Sequence, residues 1–345
     1  MLTDEARREL EKEQYRIVGS HSAVKICGWT KNMIRGRGEC YKYKFYGIRS
    51  NQCIQMSPSL SCANRCVFCW RSYKAPISKN WKWGVDDPKM IADEIIKEHH
   101  KLLLGFKGSK TANKRLYNES KNARHVAMSL TGEAIIYPRI NELVDIFHKK
   151  KISTFVVTNG QYPEEMRNLK PVTQLYLSLD APTRDLLKKV DVPLFQDYWE
   201  RAQESLKVIS EKKQRTAIRI TLVKGLNDVY PEKYAELVRK ADPDFLEVKA
   251  YMHVGESRKR LSRENMPLHS YVKEFAQKIN KNLEDYDMVS EHKPSRVVLL
   301  AKKYFRKKDG WHTWIDFVKF FELVDSGKDF STEDYLKKTP EENIC

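Results

Sequence analysis

Residues 53–70 read CIQMSPSLSCANRCVFCW: a short run of strand character that stops at Pro58, followed by three cysteines spaced C-x3-C-x2-C. Taken as a first strand and the loop after it, this stretch sets the register for the rest of the chain. From about residue 85, β-type apolar runs alternate with helical patterns. VDDPKMIADEIIKEHHKLLL opens with Asp87 before Pro88, a cap followed by the residue best suited to the first helical position. HVAMSLTG, ISTFVVTNG, QLYLSLDAP, TAIRITLVKGLND and DFLEVKAYMHVG read as further strands that end in Gly, Asn, Asp or Pro. Between them, RINELVDIFHKKK and residues 193–213 carry apolar residues at helical spacing. Near-continuous apolar strands alternating with amphipathic helices imply a parallel sheet covered by helices. Six βα units result, an α/β chain whose chemistry belongs on the rim at the strands' C-terminal ends.

The expected boundaries are 1–53 for a strand-rich N-terminal extension, 54–255 for the βα body and 256–345 for a C-terminal extension. No apolar run approaches the roughly 20 residues of a membrane-spanning helix, so neither a membrane partner nor export is expected and a cytoplasmic setting is. There, clustered cysteines are more often metal ligands or catalytic groups than disulfides. The 63 Lys and Arg against 46 Asp and Glu leave a formal charge of +17, which attracts polyanions. Residues 71–82 and 107–124 are rich in Lys and Arg. Trp70, Tyr73, Trp81 and Trp83 lie in or beside the first of these runs, where aromatic faces can stack on unpaired bases. Loops 71–83 and 107–124, with the basic segments 256–263 and 302–308, are the expected nucleic-acid surface.

Cys62, Cys66 and Cys69 on one tight loop suit three irons of a 4Fe–4S cube and leave the fourth iron open. Zinc is the alternative, although it wants a fourth ligand and no second knuckle follows. The spacing and its place after the first strand resemble the radical S-adenosylmethionine (SAM) superfamily. That resemblance implies an incomplete (β/α)6 TIM-like barrel. It also implies a cluster whose open iron chelates SAM, and a 5′-deoxyadenosyl radical that takes a hydrogen atom from a substrate. Thr131, Gly132 and Glu133 match the segment that bonds the methionine amino group. Thr158 and Asn159 follow the next strand, Ser178 and Asp180 the one after it, and Arg219 with 222–227 stands where the cofactor pocket is completed.

Cys27, Cys40 and Cys53 lie upstream at equal intervals of thirteen. They are either unrelated buried thiols or ligands of a second 4Fe–4S cluster with its own open iron, the two trios facing each other across the barrel mouth. Read as extended, CYKYKFYG puts Cys40, Lys42 and Lys44 on one face, Lys42 following Cys40 at roughly 7 Å. A partly desolvated lysine is a nucleophile able to form a Schiff base. The trio, its GECYKYKFYGI context and SLSCANRCVFCWR with Trp70 narrow the resemblance to the archaeal-type tRNA 4-demethylwyosine synthases. The implied reaction, that of a carbon–carbon bond-forming lyase, joins two carbons of pyruvate to N1-methylguanosine beside the anticodon of tRNA-Phe, with loss of the carboxyl carbon. In that family the second cluster is thought to bind pyruvate and a lysine near the trio's middle cysteine to hold it; Lys42 is the nearer match and Lys44 the other candidate. No Gly-rich FMN-type segment precedes the trio in these residues, so an external electron-donor protein is expected, and a monomer. The alternatives are another two-cluster RNA-modifying enzyme of methylthiotransferase type, and a zinc-stabilised RNA-binding module.

Overall fold

The computed structural model describes residues 2–345. The first elements are α1 (Asp4–Lys12), β1 (Arg16–Val18), β2 (Ser22–Lys25), α2 (Gly28–Ile34), α3 (Tyr41–Tyr46), β3 (Cys53–Ser57), α4 (Pro88–Leu103) and α5 (Lys114–Ser120). Then come β4 (His125–Met128), α6 (Ile140–Lys149), β5 (Ser153–Thr158), α7 (Pro163–Arg167), β6 (Gln174–Ser178), α8 (Arg184–Asp191) and α9 (Tyr198–Glu211). β7 (Thr216–Leu222), α10 (Pro231–Ala241), β8 (Phe245–Ala250), α11 (His269–Asn280), β9 (Tyr286–His292), β10 (Val297–Lys302) and α12 (Phe317–Ser326) complete the order. Asp87 caps α4 as its place before Pro88 predicts, its carboxylate accepting from the backbone N–H of Lys89 and Met90.

One ten-stranded sheet runs β1-β2-β3-β4-β5-β6-β7-β8-β10-β9. The six strands β3 to β8 are parallel neighbours, while β1, β2, β10 and β9 extend the sheet antiparallel at its two ends. The sheet does not close, and the six βα units form the expected incomplete barrel. Period two separates two cores. Residues such as Val126, Val156, Leu177, Ile218 and Val248 pack outward against α4, α6, α9, α10 and α11, each buried aliphatic contributing about 1.5–3 kcal/mol. Their neighbours Ala127, Phe155, Tyr176, Ala217 and Phe245 turn inward and gather around Phe45 and Tyr46 of α3.

Residues 1–53 are not strand-rich. Among the described residues, 2–52 hold three α-helices and only the short strands β1 and β2. CYKYKFYG is helical: Cys40 is the extended N-cap and Gly47, at φ 78°, closes α3 in the left-handed region. Tyr41 and Phe45, four apart, share one buried face inside the barrel. The alternation of aromatic and lysine fits a strand equally well, and burial inside the barrel decides between them. The C-terminal residues plug the opposite end of the barrel from the rim: Ile315, Phe320, Phe330 and Tyr335 join the inner core, and buried Arg215 donates to the Thr313 carbonyl at 2.7 Å. A mostly apolar cavity of about 520 Å³ between α12, Gln52 and His125 lies at that same end.

Candidate active site

The triplet loop leaves β3 at the rim. Its backbone is tied to the end of α8, Arg65 N–H donating to Asp191 O (2.9 Å) and Val67 N–H to Val190 O (2.8 Å). From the other side, Arg260 Nε donates to Val67 O at 3.0 Å and its Nη2 to Cys69 O. Gly255, at positive φ, brings its backbone against this loop so closely that a Cβ there would stand 2.3 Å from the Trp70 carbonyl. All three cysteines are free thiols. Buried Arg71 donates to Asn64 O at 3.0 Å, and its guanidinium faces all three sulfurs. Burial pushes the Cys62 thiol up to about 11, and burial with the carboxylates Asp191 and Asp180 raises Cys66. Metal binding would displace those protons and give Arg71 a permanent anionic partner.

Glu133 lies next to this loop. Its Oε2 accepts from the Asn159 N–H at 2.9 Å, while Oε1 is buried with no hydrogen-bond partner; Asn159 Nδ2 reaches Cys62 Sγ at 3.4 Å. A buried acceptor without a donor costs about 1–3 kcal/mol, so the pocket is built to receive one. Gly132, φ 73°, lets the chain pass where a Cβ would meet the Ser59 carbonyl at 2.0 Å, and Thr131 adjoins the Tyr15 hydroxyl. Thr158 Oγ1 accepts from the Gly160 N–H at 3.2 Å. Asp180, buried and raised to about 6, accepts from the Thr221 N–H at 3.3 Å and faces Arg219. Ser178 and Arg219 keep accessible surface on the inner wall. Among the described residues no three His, Cys, Asp or Glu side chains stand close enough to hold a single metal ion; what fits is the donor set, three thiols on one loop for the wider iron–sulfur cluster and the Glu133 carboxylate for the amino group of SAM.

Burial raises the Glu133 carboxyl to about 7. An amine held on the open iron still offers N–H groups, which the ionised carboxylate accepts better than the neutral acid, so SAM affinity of the iron-loaded chain is expected to be higher above pH 7 than below it, measured by calorimetric titration. Affinity flat from pH 5.5 to 8 would contradict this role for Glu133.

The second trio lies lower. Cys53 opens β3 in register with His125, the first residue of β4, while the triplet follows that strand's other end. The trios are therefore stacked along the barrel interior and do not face each other across its mouth. Cys27 and Cys40 are the N-caps of α2 and α3, and Cys27, Cys53 and Lys42 all act on the charge of Cys40. Burial pushes Cys40 and Cys53 up to about 12. Lys42 is ringed by protein with its Nζ 4.3 Å from the Tyr176 ring centre, and burial lowers its pKa. Lys44 is not on this face; its carbonyl accepts from Trp314 Nε1, and its charge acts on His292. Between the trios, Gln55, Val157, Asn159, Ser178, Arg219, Thr221 and Lys249 retain accessible surface although they sit on the inner face of the sheet, which marks the wall of an internal chamber.

Sequence reasoning missed four of these groups. Glu247, fully buried, accepts from Tyr41 (3.0 Å) and Tyr46 (2.8 Å), and Lys249 stands two residues nearer the rim. Arg71 and Arg260 hold the triplet loop, although both lie in segments whose composition suits a nucleic-acid surface. The signal for Glu247 and Lys249 is present as two charges at period two inside a parallel strand.

The expected stacking platform is also revised. Trp70 stacks on Tyr15, Trp81 packs on His21 and Tyr137, Trp83 meets Trp81, and Tyr73 is covered by Arg260; these rings fasten the loop to the protein. Residues 107–124 and 302–308 lie at the plugged end. Asn51, just before β3, bonds Leu116 O, and Lys302 ends β10 beside the start of β8.

Residues 56–238 match the family model described as "Radical SAM superfamily" and 240–302 the one described as "Wyosine base formation". The chain is 49% identical over 99% of its length to the S-adenosyl-L-methionine-dependent tRNA 4-demethylwyosine synthase of Oryza sativa subsp. japonica, and 46% identical to that of Homo sapiens, TYW1. It spans about half the length of these relatives, 52% and 47%. Among solved structures, one of TYW1 with a lysine-pyruvate adduct bound aligns with a TM-score of 0.79 at 37% identity, covering 88% of this chain and 97% of that one. A crystal structure of archaeal TYW1 aligns at 0.72 and 33%, covering 88% and 98%. With the triplet loop, the six-unit barrel and both models in agreement, this chain belongs to the radical SAM superfamily, in its wyosine-forming branch.

Proposed function

We propose that this chain condenses N1-methylguanosine of tRNA-Phe with two carbons of pyruvate to give 4-demethylwyosine, a radical SAM lyase reaction. The observation that carries the reading is the chamber itself, with Lys42 and three free thiols at its inner end and the triplet loop with Glu133 at its outer end. Cys62, Cys66 and Cys69 would hold the cluster that binds SAM, Cys27, Cys40 and Cys53 a second one. When bound, SAM and its cluster supply the radical that removes a hydrogen atom from the N1-methyl group. Glu133 receives the SAM amino group, with Asn159 and Thr158 holding that carboxylate. Asp180, Ser178 and Arg219 line the path between the two ends. Lys42, poorly solvated and so biased toward its neutral amine, attacks the keto carbon of pyruvate and loses water to form the imine. The adduct in the aligned TYW1 structure supports a lysine in this role.

A base beside the anticodon must leave its stack to enter the chamber, and phosphate contacts offset that cost. We assign the tRNA footprint to the rim, where Lys79, Lys82, Lys188, Lys189 and Arg258 are exposed. Charge reversal of these residues should weaken tRNA binding and flatten its salt dependence, whereas reversal at Lys107, Lys110 and Lys114 at the plugged end should not; equal effects from both sets would remove the rim assignment. The compartment we assign is the cytoplasm, where tRNA is modified. The test of function is the iron-loaded chain with methylguanosine-containing tRNA, SAM, dithionite and pyruvate. A tricyclic base is expected by mass spectrometry only when pyruvate is present, and its formation without pyruvate would refute the carbon donor.

A further inference from the structure

We propose that Lys249 binds the carboxylate of the 2-oxo acid whose keto carbon Lys42 captures, which makes the inner end of the chamber a two-point receptor for pyruvate. Resting on the proposed role of Lys42, this names the group that recognises the acid end of the substrate.

On β8 the residues Leu246, Val248 and Ala250 belong to the outer core, so Phe245, Glu247 and Lys249 point inward. Besides Arg215, which is spent at the plugged end on Thr313 O and the Tyr46 and Phe245 rings, three cations face that interior: Lys42, Arg219 and Lys249. Arg219 is already engaged, paired in register with Glu247 and facing Tyr41 and Asp180. Glu247 is taken up by the Tyr41 and Tyr46 hydroxyls. Lys249 differs from both. It is ringed by protein, yet it keeps accessible surface, and its one hydrogen bond is a long one, 3.4 Å, to the carbonyl of the next residue in its own strand. A lysine inside a parallel sheet is costly unless something anionic meets it. The charged and titratable groups around it are Arg219, Glu247, Cys40 and Cys27, and Cys40 is also a neighbour of Lys42. Both amines act on the charge of the same thiol, and a ligand with a carbonyl next to a carboxylate offers a group to each.

The chemistry balances with the groups present. The Lys42 amine adds to the keto carbon, its two protons pass in turn to the oxygen, and water leaves as the C=N bond forms. The carboxylate stays an anion throughout, and in a poorly solvated chamber a charge-assisted bond from Lys249 holds it.

The experiment is borohydride trapping of the adduct on the iron-loaded full chain, with pyruvate and with methyl pyruvate, which has the ketone but no carboxylate. In Lys249→Met the pyruvate concentration for half-maximal trapping should rise by about tenfold or more, while trapping of the methyl ester stays as in the parent protein. Lys249→Arg should recover part of the preference for the acid. An unchanged preference in Lys249→Met, or equal loss of acid and ester, would overturn the proposal. Should Lys249→Met fail to fold, Lys249→Gln carries the same comparison. Mapping the adduct, with Lys42→Ala as control, separates the two readings. An adduct on another lysine would refute Lys42, while acid against ester would still decide Lys249.

Discussion

Cys40→Ala is expected to take the reconstituted chain from about eight irons to about four and to abolish pyruvate-dependent product, while uncoupled cleavage of SAM to 5′-deoxyadenosine persists. The reason is the separation of the two trios. Cys40 caps α3 within the inner core, its N–H donating to Ser50 Oγ at 2.8 Å, and its neighbours are Cys27, Cys53 and Lys42. Glu133, Asn159 and Arg71 gather at the other end, around Cys62. Cys66→Ala should give the converse: about four irons retained in the inner trio, no SAM cleavage, and adduct trapping at Lys42 intact. Iron quantification together with a deoxyadenosine assay reads both variants. If Cys40→Ala keeps all its iron and its product, the inner trio holds no cluster.

The second large effect centres on Glu247. Its carboxylate is fully buried, ties down the hydroxyls of Tyr41 and Tyr46, and faces Lys42 and Arg219. Removing one member of a buried charged network typically costs about 3–5 kcal/mol, because its partners are left buried and unpaired. Glu247→Leu should destabilise the chain by about that much in chemical denaturation, and product formation should collapse as α3, which carries Lys42, loses its two anchors. Glu247→Gln keeps one oxygen acceptor and should fall between. The order Glu, Gln, Leu in both stability and adduct yield is the expected signature. Equal stability of Glu247→Leu and the parent protein would mean the two tyrosines are held by something else.

Some of this was written in the chain. The C-x3-C-x2-C loop after CIQMS, the Asp87–Pro88 cap and the six apolar runs specified the parallel barrel, because strand and helix periods are local and the connections between successive units are short. Glu133 and Asp180 were singled out by the family resemblance, at strand ends that in a parallel α/β fold share one rim. Other features were not. YKYKFY satisfies both periods, and only the room inside an unclosed barrel made it a helix and turned Lys42 toward the thiols while sending Lys44 away. The tryptophans of 70–83 and the basic residues Arg71 and Arg260 look the same in sequence whether they serve RNA or the protein; packing against Tyr15, His21 and the triplet loop committed them to the protein.

The sequence by itself determined which residues form six βα units and that three thiols hang from the first loop, since spacing and periodicity are properties of the chain alone. Only the tertiary structure decided that the second trio lies beneath the first, that Glu247 pins the helix carrying Lys42, and that Lys249 looks into the chamber. The last two relations join residues about two hundred positions apart, and which of them meet is fixed by how the sheet coils.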